Sequence, residues 1–283
     1  MTVWCASRQE FMDLTSSALS EYRAVVEPLL LGRDHISGYC RGCKRVTTFN
    51  VGPRPNTGDW RNLLEGMSCS CGLNGRMRLG LNIVDEICQS QAFDHPVVLE
   101  RLTPLFPFLA ERIPGLIGCE FLGQHHTPGS MHDIRGVPVR HESLMSLSFS
   151  SASVDLVMHF DVIEHVPDAL VAFEEIHRVL VRGGTMIFTC PFYHNLGHNI
   201  IRATLKEGKI EHLLPPAYHG NPLSDQGSFV FIHPTWELID MIASVGFSSV
   251  RIPVTYSVAE GIVSNGCPYP DGHMWPAVIV AQK

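Results

Sequence analysis

The sequence predicts an α/β protein: a doubly wound, mostly parallel sheet with helices on both faces, preceded by a small four-cysteine module. Three observations predict it. An apolar run at residues 154–160 is followed by an amphipathic helix and a second apolar run at 185–190, the pattern of a βαβ unit in a sheet covered on both faces. A second unit of the same kind spans residues 96–120. Ahead of both, Cys40 and Cys43 form a CxxC pair, and Cys69 and Cys71 a CxC pair. These features divide the chain into an N-terminal helical and metal-binding module, residues 1–92, and a larger α/β domain, residues 93–283, with an insertion at about 193–231.

The N-terminal residues 9–31 carry a mixed helical pattern, one helix or two short ones. The cysteine pairs follow, separated by a loop rich in proline and glycine at residues 52–59. Two tight turns that each present two thiolates can close a tetrahedral four-sulfur zinc site, with Gly42 and Gly72 relaxing the turns. Four thiolates leave no open position, so the zinc predicted at Cys40, Cys43, Cys69 and Cys71 is structural rather than catalytic. The alternative is four reduced cysteines in a small β element.

Residues 79–89 read as a helix leading into the larger domain, whose first strand lies at 96–100. Pro104 and Pro107 confine the next helix to start near them, and a short strand then ends at Glu120. Glu120 stands twenty positions after Glu100. An acid at the end of the second strand of a doubly wound sheet accepts hydrogen bonds from ribose hydroxyls. In the central βαβ unit, Ala169, Ala172, Phe173, Ile176, Val179 and Leu180 share one helical face. Asp168 is placed to cap that helix, and Gly183 and Gly184 to stop it. Near the end, 235–245 reads as a helix closed by Gly246, followed by an alternating strand at 250–256 and an apolar strand at 275–281.

Composition narrows the function classes. The chain has 283 residues, 45% of them hydrophobic, and a formal net charge of −7, which argues against a dedicated nucleic-acid binder. No run approaches the ~18 apolar residues of a membrane span. The N-terminus has early acidic residues and no apolar core, so it does not read as a signal peptide, and a cytoplasmic location is expected. There the nine cysteines are thiols or metal ligands rather than disulfides.

The stretch LSFSSASVDLVMHFDVIEHVPD, with LVRGG downstream, resembles the signature segments of the class I S-adenosylmethionine-dependent methyltransferases, and the resemblance extends more weakly over residues 93–283. It implies a seven-stranded Rossmann-like sheet with an antiparallel closing pair, S-adenosylmethionine as cofactor and a small-molecule methyl acceptor. It also implies cofactor contacts. Glu120 would face the ribose hydroxyls, with Phe121 beside it as a further cofactor-binding residue. Glu100 and Thr103 would lie in the first loop, with the Thr103 hydroxyl on the methionine carboxylate. Glu142 and Ser143 would stand where the family places an acid near the adenine amino group. Phe160, Asp161 and His165 would line the boundary between cofactor and acceptor. The chain departs from the family in its first loop, ERLTPL, which lacks the usual glycines, and in having Ser143 where an acid is usual. A pyrophosphate needs that glycine turn even more, which disfavours NAD.

Residues 193–231 show little periodicity and read as an irregular lid or binding loop. Five of the fifteen histidines, His194, His198, His212, His219 and His233, fall in or beside it. Imidazole suits a general base for a hydroxyl acceptor, and His194 and His219 are the catalytic candidates. A metal bound by several of these histidines with Asp225 is the alternative. The expected reaction is methyl transfer to an oxygen or nitrogen of a small molecule, such as a sugar or natural-product intermediate, without nucleic-acid or membrane partners; a homodimer is left open. Two other readings stand beside it: an enzyme of this fold catalysing a non-methylating reaction, and a non-enzymatic zinc-containing binding protein.

Overall fold

The structure is a computed structural model that describes residues 2–52, 61–221, 223–267 and 272–283. Of the proline- and glycine-rich loop at 52–59, all but Gly52 lies outside the described residues. The chain forms two compact units, one made of Met1–Gln91 with Arg251–Ile279, the other of Ala92–Val250 with Val280–Lys283.

The first unit begins with strand β1 (Thr2–Cys5) and two helices, α1 (Arg8–Thr15) and α2 (Ala18–Leu31). Ser7 and Ser17 cap the helices by accepting from the Glu10 and Leu19 amides, so the mixed pattern at 9–31 resolves into two helices with serine caps. Strands β2 (His35–Cys40) and β3 (Arg45–Asn50) form an antiparallel hairpin with Cys40 opposite Arg45. A short helix α3 (Leu63–Gly66) precedes α4 (Gly75–Cys88), which Asn74 caps through the Met77 amide. The core of this unit joins Leu30, Phe49, Val51, Leu63, Met67 and Val263 to the sulfur-bearing Cys40 and Cys69. Arg78, 1% exposed, crosses this core and donates to the carbonyls of Leu73, Met67, Glu260 and Gly261.

The second unit holds the parallel sheet. Its elements are β4 (Pro96–Leu99), α5 (Phe106–Arg112), β5 (Ile117–Glu120), β6 (Met131–Ile134), β7 (Val137–His141), β8 (Val154–Phe160), α6 (Ala169–Val179) and β9 (Leu180–Thr189). Strands β9, β8, β4, β5 and β7 are neighbours in that order and run parallel, while β6 turns back antiparallel on β7 at the edge. Strand β8 is buried along nearly its whole length, as a both-faces-covered strand requires. Helix α6 lays Ala172, Phe173, Ile176 and Val179 into the core, all 0% exposed, and Asp168 accepts from the Leu170 and Val171 amides as its cap.

The end of α6 differs from the sequence expectation. The helix stops at Val179, and Gly183 and Gly184 lie inside β9 instead of terminating the helix. Gly183 adopts φ +79°, and the β8–β9 register jumps from Val154 opposite Leu180 to Leu156 opposite Thr185, so the glycines absorb an irregularity in the strand. The insertion also differs. It is built from three two-stranded ribbons: β10 (Ile200–Ile201) with β15 (Ile232–His233), β11 (Ala203–Lys206) with β12 (Lys209–His212), and β13 (Tyr218–Asn221) with β14 (Ser224–Phe229). Short polar ribbons bury little on either face, which is why no period of two stood out in the sequence.

Helix α7 (Trp236–Val245) ends at the left-handed Gly246, φ +110°. Strand β16 (Ser249–Thr255) crosses from the second unit into the first, where it pairs antiparallel with β1. The last strand, β17 (Ile279–Gln282), starts later than the apolar run at 275 indicated. In the second unit it lies beside β9, where the Gly183 amide donates to the Lys283 carbonyl and the Lys283 amide to the Gly184 carbonyl, and the Ser248 amide donates to the Gln282 carbonyl on its other side.

Candidate functional site

In a parallel sheet the strand ends carry the ligand-facing loops. The register places Leu99, Cys119 and His159 level with one another, so the residues that follow, Glu100, Glu120, Phe160 and Asp161, emerge together at the carboxyl edge of β4, β5 and β8. These four, chosen from sequence, are brought to one edge.

Glu120 closes β5. Its Oε2 accepts from the Leu102 amide at 3.3 Å, which ties the first loop to the second strand. Burial pushes its carboxyl up from the ordinary range to about 7, against the opposing pull of the Leu102 and Phe121 amides. Phe121, 45% exposed, sets its ring 5.5 Å from that of His141, whose Nδ1 accepts from the Leu122 amide at 3.0 Å. Glu100 is buried, and Thr103 bridges the glycine-free loop locally: its hydroxyl donates to the Glu100 carbonyl at 3.4 Å and accepts from the Leu105 amide at 3.3 Å.

Glu142 and Ser143 follow β7. Glu142 is 0% exposed, and its oxygens take up Arg140 at 2.8 Å, the Ser148 hydroxyl at 2.5 Å and the Ser148 amide at 2.9 Å. Ser143 accepts from the Met145 amide at 3.3 Å. At the end of β8, Phe160 is buried, and Asp161 takes φ +52°, an unusual conformation for a side-chain-bearing residue, anchored by the Thr189 hydroxyl donating to its carboxylate at 2.8 Å.

One turn further, a 3-10 turn over Ile163–His165 points Glu164 inward at 0% exposure. The insertion folds onto this turn: the Phe231 amide donates to the Glu164 carbonyl, and His165 Nδ1 donates to the Phe229 carbonyl at 2.7 Å. His219 arrives on β13, with Nδ1 3.4 Å from Glu164 Oε1, and its ring stands edge-on to His165 at 5.4 Å. Glu164, His165 and His219 thus present ligand atoms within 4.8 Å of one another. His165 and His219 were singled out in the sequence. Glu164 lies in the quoted segment beside His165 without a role of its own in the sequence reading, and its burial depends on the fold of the insertion, which the sequence did not disclose.

The other histidines lie apart from this cluster. His194 is 1% exposed, its carbonyl accepts from the Trp236 indole, and burial pushes its imidazole down to about 4. His198 is 92% exposed at its side chain. His233 stacks on Tyr193 at 4.8 Å and is driven to about 4, first by burial and then by Arg202. The carboxylate that meets the histidines is Glu164 rather than Asp225.

In the first unit, all four predicted cysteines converge. Cys40 and Cys71 sulfurs are 3.8 Å apart, Cys43 and Cys69 3.7 Å, and Cys69 and Cys71 3.2 Å. A tetrahedral zinc with bonds of about 2.3 Å sets its sulfurs roughly 3.8 Å apart, so two of these edges already have the right length. The donor set and its packing fit zinc.

Residues 121–188 match the model of a methyltransferase domain family. No curated protein matches the chain. Among solved structures, the chain is similar to an S-adenosylmethionine-dependent methyltransferase from Mesorhizobium loti, with 13% identity over 72% of this chain and 98% of that one, and a TM-score of 0.43. It is similar to 1,6-didemethyltoxoflavin-N1-methyltransferase of Burkholderia thailandensis, with 14% identity, 74% and 78% coverage and a TM-score of 0.41. It is also similar to phosphoethanolamine N-methyltransferase 2 of Haemonchus contortus, with 12% identity, 72% and 52% coverage and a TM-score of 0.42. At these TM-scores the likenesses fix no acceptor. Among the described residues no helix is long and apolar enough to cross a membrane. The matched segment of the methyltransferase domain model runs from the end of β5 through most of β9.

Proposed function

We propose that the chain transfers the sulfonium methyl group of S-adenosylmethionine to an oxygen or nitrogen of a small molecule. The observation that carries this reading is Glu120, an acceptor-only side chain at the end of β5, level with the loops that follow β4 and β8. Its carboxyl sits in a site where burial makes a bare charge costly, and ribose hydroxyls would add donors to those of the Leu102 and Phe121 amides. Phe121 offers an exposed ring for the adenine. The residues from Glu100 to Thr103 hold the methionine end, and Phe160, Asp161 and His165 line the boundary with the acceptor. Glu142 and Ser143 act behind the adenine site, since the Glu142 oxygens are committed to Arg140 and Ser148.

The cofactor supplies an electrophilic methyl carbon, and the protein aligns the acceptor with it. The proton of a hydroxyl acceptor is handled at the Glu164, His165 and His219 cluster. We place the catalytic role on His219, the most open member, ahead of the sealed His194. Zinc at Cys40, Cys43, Cys69 and Cys71 ties the β2–β3 hairpin to the segment before α4, a structural role.

The test is detection of S-adenosylhomocysteine by mass spectrometry when the protein meets S-adenosylmethionine and a panel of small alcohols, phenols and amines. Turnover with at least one acceptor, lost in Glu120→Ala, is expected. Absence of cofactor binding at about 1 mM by calorimetry would overturn the reading, since binding costs alone do not hide a site tighter than millimolar.

A further inference from the structure

We propose that Glu164, His165 and His219 form a binding site for a divalent transition-metal ion, and that this ion engages the oxygen of a hydroxyl-bearing acceptor. The inference rests on the methyl-transfer reading for its purpose and on three geometric observations for its existence.

The first is the donor set. Two imidazoles and one carboxylate bring their ligand atoms within 4.8 Å of one another. Two histidines and a carboxylate on one side of an ion leave its remaining positions open, as a catalytic rather than a closed structural site requires.

The second is the tautomer of His165. The Phe229 carbonyl can only accept, so Nδ1 carries the proton of that 2.7 Å bond. Nε2 of the neutral ring therefore turns a lone pair toward Glu164 Oε1, 3.7 Å away. A backbone carbonyl fixing one ring nitrogen so that the other faces the ion is the usual outer support of a metal-bound histidine.

The third is Glu164. Its side chain is 0% exposed, and Oε2 has no hydrogen-bond partner among the described residues. Its neighbours through Oε1 are the two imidazoles, His219 Nδ1 at 3.4 Å and His165 Nε2 at 3.7 Å. A buried carboxylate with one unpaired oxygen, facing the His165 lone pair and held otherwise by a long 3.4 Å hydrogen bond from His219, is a costly arrangement unless a positive charge sits beside it. An ion supplies that charge and gives the carboxylate and the His165 lone pair a common partner.

With an ion there, a hydroxyl acceptor would bind through its oxygen and its O–H proton would pass to water, because a bound cation lowers the pKa of its ligand. The oxygen lone pair then forms the new bond to the methyl carbon, the carbon–sulfur bond breaks with its electrons on sulfur, and neutral S-adenosylhomocysteine leaves. Charge and atoms balance without a redox partner. The class of acceptor is thereby narrowed from oxygen or nitrogen to a hydroxyl or phenol.

The test reads metal alone, without cofactor or acceptor, so it fails or succeeds independently of methyl transfer. Protein stripped with a mild chelator that spares the cysteine-bound zinc is titrated with zinc chloride by calorimetry and checked by elemental analysis. One further equivalent is expected in the wild type and in His198→Ala, and none in Glu164→Gln or His219→Ala. Each variant must keep its far-ultraviolet circular dichroism and its first zinc equivalent. A wild type that takes up no second equivalent at ~1 mM zinc, or a Glu164→Gln variant that keeps it, overturns the proposal.

Discussion

Replacing Glu120 by glutamine should move cofactor affinity and stability in opposite directions. In the free protein, burial raises the Glu120 carboxyl from its ordinary 4.5 to about 7. At 1.36 kcal/mol per pH unit this costs the ionised folded form about 3 kcal/mol, and partial access to solvent reduces it to ~1–2 kcal/mol. The sign follows from proton linkage. The folded form binds the proton more tightly than the unfolded chain, so the penalty is absent below the unfolded value and complete above the folded one. Glu120→Gln should therefore be more stable than wild type by ~1–2 kcal/mol near pH 8, with the gain shrinking toward about pH 5. Cofactor binding should respond the other way. A charge-assisted hydrogen bond contributes about 1.5–3 kcal/mol, so losing one weakens S-adenosylhomocysteine roughly 10- to 150-fold. In the wild type the same group should make binding about tenfold weaker one unit below its folded value, because only the ionised carboxylate accepts from both ribose hydroxyls. Urea unfolding at the two pH values and calorimetry with S-adenosylhomocysteine measure both. An affinity change under about threefold, or a variant less stable than wild type near pH 8, would refute the assignment.

Three further outcomes follow from the fold. Cys40→Ala with Cys43→Ala should lower bound zinc by one equivalent per chain in elemental analysis; unchanged zinc would remove the four-cysteine site. Arg78→Met leaves four buried carbonyls without their donor and should cost at least ~3 kcal/mol in urea unfolding, and a loss under about 1 kcal/mol would show that water replaces it. Asp168→Ala uncaps α6 and should cost about 1 kcal/mol, read as a melting temperature lower by ~2–4 °C.

The sequence disclosed the parallel sheet because its strands are buried on both faces and α6 keeps a clean apolar stripe. Both signals arise from burial alone. It disclosed the cysteine cluster because chelation constrains spacing. The ribbons of the insertion stayed hidden because their strands are short and mostly polar, so register and turns, rather than hydrophobic period, shape them. Glu164 stayed hidden for the same reason: nothing local marks an acid in a 3-10 turn as buried until residues 219–231 fold over it. His194 is the opposite case. Its place at the strand edge was legible, but its enclosure beside Trp236 was not. The glycines at 183 and 184 carried a true signal of irregular backbone and were assigned to the helix end instead of the strand.

The most direct test of the central claim is a crystal structure of the protein with S-adenosylhomocysteine bound. The account predicts the ribose hydroxyls on the Glu120 carboxylate, the adenine against Phe121, and the sulfur turned toward the Glu164, His165 and His219 cluster. A ligand seated elsewhere, or a Glu120 carboxylate that does not touch the ribose, would contradict it.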